Sequence, residues 1–182
     1  MLPQIQTGFP VTTVLLIVGT ISFGIASTPS FAERPAAVPE RESLRGLRGL
    51  EVLVEPFNIE IEGLGLQAVK LHSDIGQRLQ KAGLKVLTER ERLATPTAAM
   101  LVVRLDAAHD RIGRYFYSID LFLTQRVRLE GNVASELSAV TWMKPGGIGI
   151  VADDNVKHFE DQVLRKVDEF IKDYLAVNPI GK

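Results

Sequence analysis

Few side chains in this sequence can do acid–base, nucleophilic or metal chemistry. His72, His109 and His158 are the only histidines, and cysteine is absent. A metal site borne on a helix needs His or carboxylate ligands three or four residues apart. His72 lacks such a partner, because Asp74 is two residues on and faces away. His158 has Asp154 four residues before it and Asp161 three after, so one helix face could carry all three. A single imidazole among exposed carboxylates reads better as a solvated helix face, and no metal is expected there. His109-Asp110 ends a strand pattern and reads as a turn pair. Without cysteine there is no thiolate ligand, no Cys nucleophile and no lipid attachment through an amino-terminal Cys.

Other chemical motifs are incomplete. Lys144-Pro-Gly-Gly-Ile-Gly-Ile150 is glycine-rich, but it lacks the Lys-Ser/Thr ending of a P-loop and the spacing of a dinucleotide fingerprint. The acidic helix start that follows it would repel phosphate. No serine sits in a Gly-x-Ser-x-Gly elbow. Asp153 and Asp154 are adjacent, so they cannot converge as a paired acid and base; they read as a cap for the last helix. No cofactor is expected.

The remaining constellation is a binding one. Arg104, Arg126 and Arg128 fall on the polar side of neighbouring strands, Arg111 and Arg114 flank a turn, and Phe116 and Phe122 share the strand side with the arginines. Arg beside Phe on an exposed face is interface composition, suited to an acidic partner or anionic lipid headgroups. The plainer reading is solubility and edge protection. Trp142, the sole Trp, joins this surface if it points outward with Val140 and belongs to the core if it points inward.

The elements that must hold these residues follow from periodicity. Leu50–Phe57 alternates as a first strand ended by Pro56. Ala68, Leu71, Ile75, Leu79 and Ala82 form a helical stripe within Leu66–Ala82, stopped at Gly83. Leu84–Leu87 reads as a short second strand, so a parallel pair with a helical crossover is expected. Thr88–Thr97 reads as loop. Met100–His109, Tyr115–Leu129 and Glu136–Met143 read as an antiparallel meander, with a bulge expected at Gln125, where the apolar face is interrupted. Lys144–Asn155 reads as a glycine-rich loop, and Asn155–Val177 as a helix burying Val156, Phe159, Val163, Val167, Phe170 and Tyr174. The order β-α-β-β-β-β-α predicts an α+β two-layer sandwich: a mixed sheet of about five strands, both helices on one face and the other face partly wet.

Composition sets the compartment. Met1–Ala32 contains no charged residue and no His, and Val11–Ala26 is an apolar run closed by Ser30-Phe31-Ala32. That is the pattern of a signal peptide, or of a membrane anchor if it is not cleaved. Residues 33–44, rich in Pro, Ala and charge, read as a flexible linker, and 45–182 as one domain. A net charge of −1 gives no reason to expect nucleic acid as partner. A cysteine-free domain suits an oxidising compartment, periplasmic or extracellular.

Val52-Leu-Val-Glu55, Lys81-Ala-Gly-Leu84, Thr141-Trp142 and the ending Val167–Pro179 give Leu50–Pro179 a pattern that resembles a family of uncharacterised exported bacterial proteins. In element order alone, the chain also resembles periplasmic accessory domains of envelope assembly systems, such as the TolB amino-terminal domain and CsgG-like proteins. These likenesses imply an α+β fold and an envelope setting. They bring no catalytic residue, and fold does not give function.

The expectation is therefore an exported, non-enzymatic accessory domain that binds an envelope component. The alternative is a small-molecule binder or hydrolase with its site between loops 110–114 and 144–155, where His109 and Asp153 would converge.

Overall fold

The computed structural model describes residues 38–152 and 155–179. The leader expected over residues 1–32 lies outside the described residues, as do Asp153 and Asp154. Among the described residues no helix is long and apolar enough to cross a membrane.

The fold is α+β, built on a mixed five-stranded sheet. Its strands are β1 (Leu50–Val54), β2 (Ala99–His109), β3 (Arg114–Leu129), β4 (Asn132–Lys144) and β5 (Ile148–Ala152). β1 runs parallel to β2, and every other pairing is antiparallel, in the order β1-β2-β3-β4 with β5 beside β3. The helices among the described residues are α1 (Val38–Glu42), α2 (Ile59–Gly63), α3 (Ala68–Lys81), α4 (Glu89–Ala94) and α5 (Val156–Val177).

The two long helices cover one face of the sheet. α3 buries Leu71, Ile75 and Leu79, and α5 buries Phe159, Val163, Val167 and Phe170, at the three- and four-residue steps of an apolar stripe. Against them lie Leu50 and Val52 of β1, Leu101, Val103 and Leu105 of β2, and Ile119, Leu121 and Leu123 of β3. These strand positions alternate by two, so one side of each strand feeds a single core and the other is left outside.

Four local expectations need correction. Leu84–Leu87 is not a strand; Val86 makes a lone parallel bridge to Leu50, held by Leu50 N–H to the Lys85 carbonyl (3.0 Å) and Leu87 N–H to the Leu50 carbonyl (2.8 Å). The fifth strand is instead β5, inside the segment expected to be a glycine-rich loop. Alternating Ile148 and Ile150 pair there with the first half of β3, a contact that short-range pattern does not encode. Thr88–Thr97 contains α4, opened by a capping box in which Thr88 and Glu91 satisfy each other's backbone amides. The Thr-x-x-Glu signal was present in the sequence.

The fourth correction concerns the linker. Within residues 33–44, α1 is helical and Leu44 is fully buried. Arg41 makes an ion pair with Asp173 at 2.8 Å, and the Ser43 hydroxyl donates to the Thr141 carbonyl at 3.0 Å. Asn178 clamps the following turn, donating to the Leu44 carbonyl (2.9 Å) and accepting from the Gly46 amide (2.8 Å). Pro- and charge-rich composition argues against burial on average, but one leucine and a few long-range polar contacts suffice to dock this segment.

Candidate functional site

The side of the sheet away from α3 and α5 is apolar over much of its area. Strand register aligns its side chains into rows. Leu53 of β1 sits beside Val102 of β2, Val102 opposite Phe122 of β3, and Phe122 opposite Met143 of β4. Leu53 and Met143 are exposed at the two ends of this row, Phe122 is half-buried and Val102 is buried. A second row lies toward the other end of β3. Phe116 stands between Ala108 and Ile150, and Ser118 between Asp106 and Ile148. Ile148 and Ile150 are 83% and 56% exposed, far above what isolated surface isoleucines on an edge strand require. A shallow apolar depression lies here, between Ala107, Phe116 and Ile148.

A polar row separates the two. Arg104 stands opposite Asp120, and its guanidinium grips Glu55 of the β1 end with two bonds, 2.8 and 2.9 Å. That hydrogen bonding holds the Glu55 carboxyl below its usual range, against a smaller opposing effect of desolvation. The same guanidinium lies 5.4 Å from the centre of the Phe122 ring. Arg114 repeats the arrangement: it donates to Asp110 at 2.8 Å and lies 5.5 Å from the Phe116 ring. Each phenylalanine of this face is thus flanked by an arginine whose charge is already paired.

The structure brings together only part of the surface expected from sequence. Arg104, Phe116 and Phe122 share the open face. Arg126 and Arg128 do not adjoin them, because the β2–β3 ladder ends at Met100 opposite Thr124 and both arginines lie beyond it. Arg126 is six residues along β3 from the partner of Arg104, roughly 20 Å at strand rise. It donates to the Thr95 carbonyl (3.0 Å), while Arg128 pairs with Glu136 (2.8 Å). The expected basic patch of Arg104, Arg126 and Arg128 is therefore not formed.

Trp142 is a further correction. It is 1% exposed, packed edge-on against Phe170 of α5. Simple alternation would put Val140 and Trp142 on one side. The β3–β4 register shifts between the pairs Leu123–Trp142 and Thr124–Val140, leaving Thr141 as the extra residue of a bulge. The bulge turns Trp142 into the core and leaves Val140, 52% exposed, outside. It lies on the strand opposite the expected site, and the Thr141 hydroxyl donates to the Gln125 side-chain oxygen.

The expected hydrolase site between loops 110–114 and 144–155 lies partly outside the described residues, since Asp153 and Asp154 do. β5 runs antiparallel to the start of β3, with Ala152 beside Arg114 at one end, while at the other the Gly146 amide donates to Asp120 at 2.8 Å. The 110–114 turn and the Pro145–Gly147 segment therefore lie at opposite ends of β5. Asp110 is used inside its own turn, accepting from the Ile112 and Arg114 amides at 2.9 and 3.0 Å. His109 stacks on Tyr115, ring centres 4.8 Å apart. His158 is occupied as well: its Nε2 lies 2.5 Å from the Tyr117 hydroxyl, and its ring meets Tyr117 edge-on. The cap of α5 is Asn155, whose side chain accepts from the His158 amide. Asp161 is bonded to Lys157 at 2.6 Å.

On structural grounds this is an α+β protein with a mixed sheet. In comparison with known proteins, no family model matches this chain, and no curated protein matches it either.

Proposed function

We propose that this chain is an exported, non-enzymatic binding module that docks an envelope protein on the open face of its sheet. The observation that supports this most is the set of apolar side chains Phe116, Ile148 and Ile150, with Leu53, Phe122 and Met143 farther along the sheet, on the side that α3 and α5 leave uncovered. Exposed aromatic and aliphatic side chains rimmed by paired Arg–carboxylate groups match the core and rim of a protein interface. Arg104, Arg114 and Arg128 already hold carboxylates, which favours a protein partner over an anionic lipid surface. The extracytoplasmic setting, periplasmic or secreted, rests on the charge-free apolar leader and the lack of cysteine.

The test is affinity capture from envelope extracts of the native host, comparing wild type with an Ile148→Glu/Ile150→Glu variant and an Arg126→Ala/Arg128→Ala variant. Loss of a captured protein with the isoleucine variant alone is expected. Equal recovery with all three chains would refute docking on this face. Intact mass of the native protein, read in parallel, separates a cleaved leader from a retained anchor.

A further inference from the structure

On the helix side of β5 the chain leaves a gap. Val151 faces the core and Ile148 and Ile150 face outward, so position 149 of the strand faces α5, and that position is glycine. Gly147, just before the strand, borders the same space. The Tyr117 ring covers Gly149, and beside it, between β5 and α5, a cleft of about 210 Å³ opens at the sheet edge. Its polar lining is the Tyr117 hydroxyl from β3 and Gln162, Arg165 and Lys166 from α5.

The cleft carries an excess of positive charge. Glu169 takes Arg165 at 3.3 Å and Lys144 at 3.2 Å, so one carboxylate serves two cations. Arg165 also donates to Gln162 at 2.6 Å, which holds its guanidinium at the cleft wall. Lys166 is half-buried; it donates to the Pro145 carbonyl at 3.1 Å, and among the described residues no carboxylate lies within salt-bridge distance of it. An ammonium has three donors, so two remain for another acceptor. Burial lowers the Lys166 pKa; Glu169 and Asp120 oppose this, and Arg165 and Lys144 add to it. Glu169 and Asp120 offset only part of the cost of burying this cation, and an anion arriving between Arg165 and Lys166 would relieve more of it.

We propose that this cleft binds the oxyanion group of a small phosphate-bearing molecule, held by Lys166 and Arg165. The volume is below the ~300 Å³ at which drug-sized pockets begin, so it suits a headgroup rather than a large ligand. The site lies on the helix side of β5, whereas the docking face lies on the other, so the two readings stand or fall separately.

The experiment titrates inorganic phosphate into the full chain and follows amide shifts of Gly147 and Gly149 by NMR. Two variants accompany wild type. A β-carbon built at Gly147 meets nothing within 4 Å, so Gly147→Leu adds bulk at the cleft wall without a clash at the backbone. Lys166→Met keeps the aliphatic stem and removes the charge. The expected result is saturable shifts in wild type, weakened at least about tenfold in both variants at unchanged thermal midpoint, and falling as pH rises through the Lys166 titration. Absence of saturable shifts in wild type, or equal binding by wild type and both variants, would overturn the proposal.

Discussion

The indole Nε1 of Trp142 donates to Asp173 Oδ2 at 3.2 Å inside the core, while the other oxygen of that carboxylate takes Arg41 at 2.8 Å. Asp173 is 6% exposed and is thus a buried charge joining β4, α5 and α1. Removing it leaves a guanidinium and an indole N–H unpartnered. Asp173→Ala should lower unfolding free energy by about 3–5 kcal/mol. Trp142→Phe, which retains most of the packing, should cost less, about 1–3 kcal/mol. Urea denaturation of both variants measures the difference. Truncation before Ser43 should also destabilise, which a flexible linker there would not do.

Gly146, Gly147 and Gly149 make different demands, although all three belong to one motif. A β-carbon on Gly146 would overlap the backbone of Ile119, and one on Gly149 would overlap the Tyr117 ring. Overpacking of this kind costs about 1–3 kcal/mol. Gly147 faces open space, so alanine there should stay within about 0.5 kcal/mol of wild type. Thermal melts of the three single alanine variants test this ranking. Gly149→Ala should in addition disturb the Tyr117–His158 contact, visible as changed Tyr117 and His158 ring resonances by NMR.

Lys166 should leave a signature at alkaline pH. Its folded pKa lies below the ordinary 10.5, first because burial disfavours the charged form. Between the folded and unfolded values the unfolded chain binds more protons, so stability rises with pH across that window and is level below it. Lys166→Met should flatten that rise. Chemical denaturation at several pH values between neutrality and the ordinary lysine value reads the slope directly.

At the acid end the Arg104–Glu55 pair contributes the opposite dependence. Hydrogen bonding by Arg104 lowers the Glu55 pKa from 4.5, so the stabilisation is present above that value and is lost as pH falls through the folded one. Arg104→Ala should remove this part of the acid limb. Since both side chains are partly exposed, the change should be small and should shrink in high salt.

Ile148 and Ile150 should be dispensable for folding. Both are exposed on an edge strand, so Ile148→Glu/Ile150→Glu should leave the urea midpoint near that of wild type while abolishing capture of the partner. A large drop in stability with this variant would mean that the two side chains support the sheet rather than a binding surface.

Much of the fold was legible because the governing patterns are local. The stripes Leu71–Ile75–Leu79 and Phe159–Val163–Val167–Phe170 repeat at helical spacing, and β2 and the first part of β3 alternate cleanly, so both long helices and the central antiparallel pair could be read directly. The same reading found Arg104, Phe116 and Phe122 on one side of the strands. β5 escaped it because Ile-Gly-Ile-Val is too short and too glycine-rich to read as a strand until it meets Tyr115 and Tyr117 of β3. The charged cleft escaped because Lys144, Arg165 and Lys166 come together only when α5 folds back across that strand.

Chain periodicity alone determined the α+β class and the two amphipathic helices, since each depends on residues adjacent in sequence. Tertiary structure decided which way Trp142 points, that Leu44 is core, that Arg126 and Arg128 stand apart from Arg104, and where the open face and the cleft lie. The reason is that these depend on register. One extra residue at Thr141 reverses the side on which every later side chain of β4 falls, and only pairing with β3 sets where that residue goes.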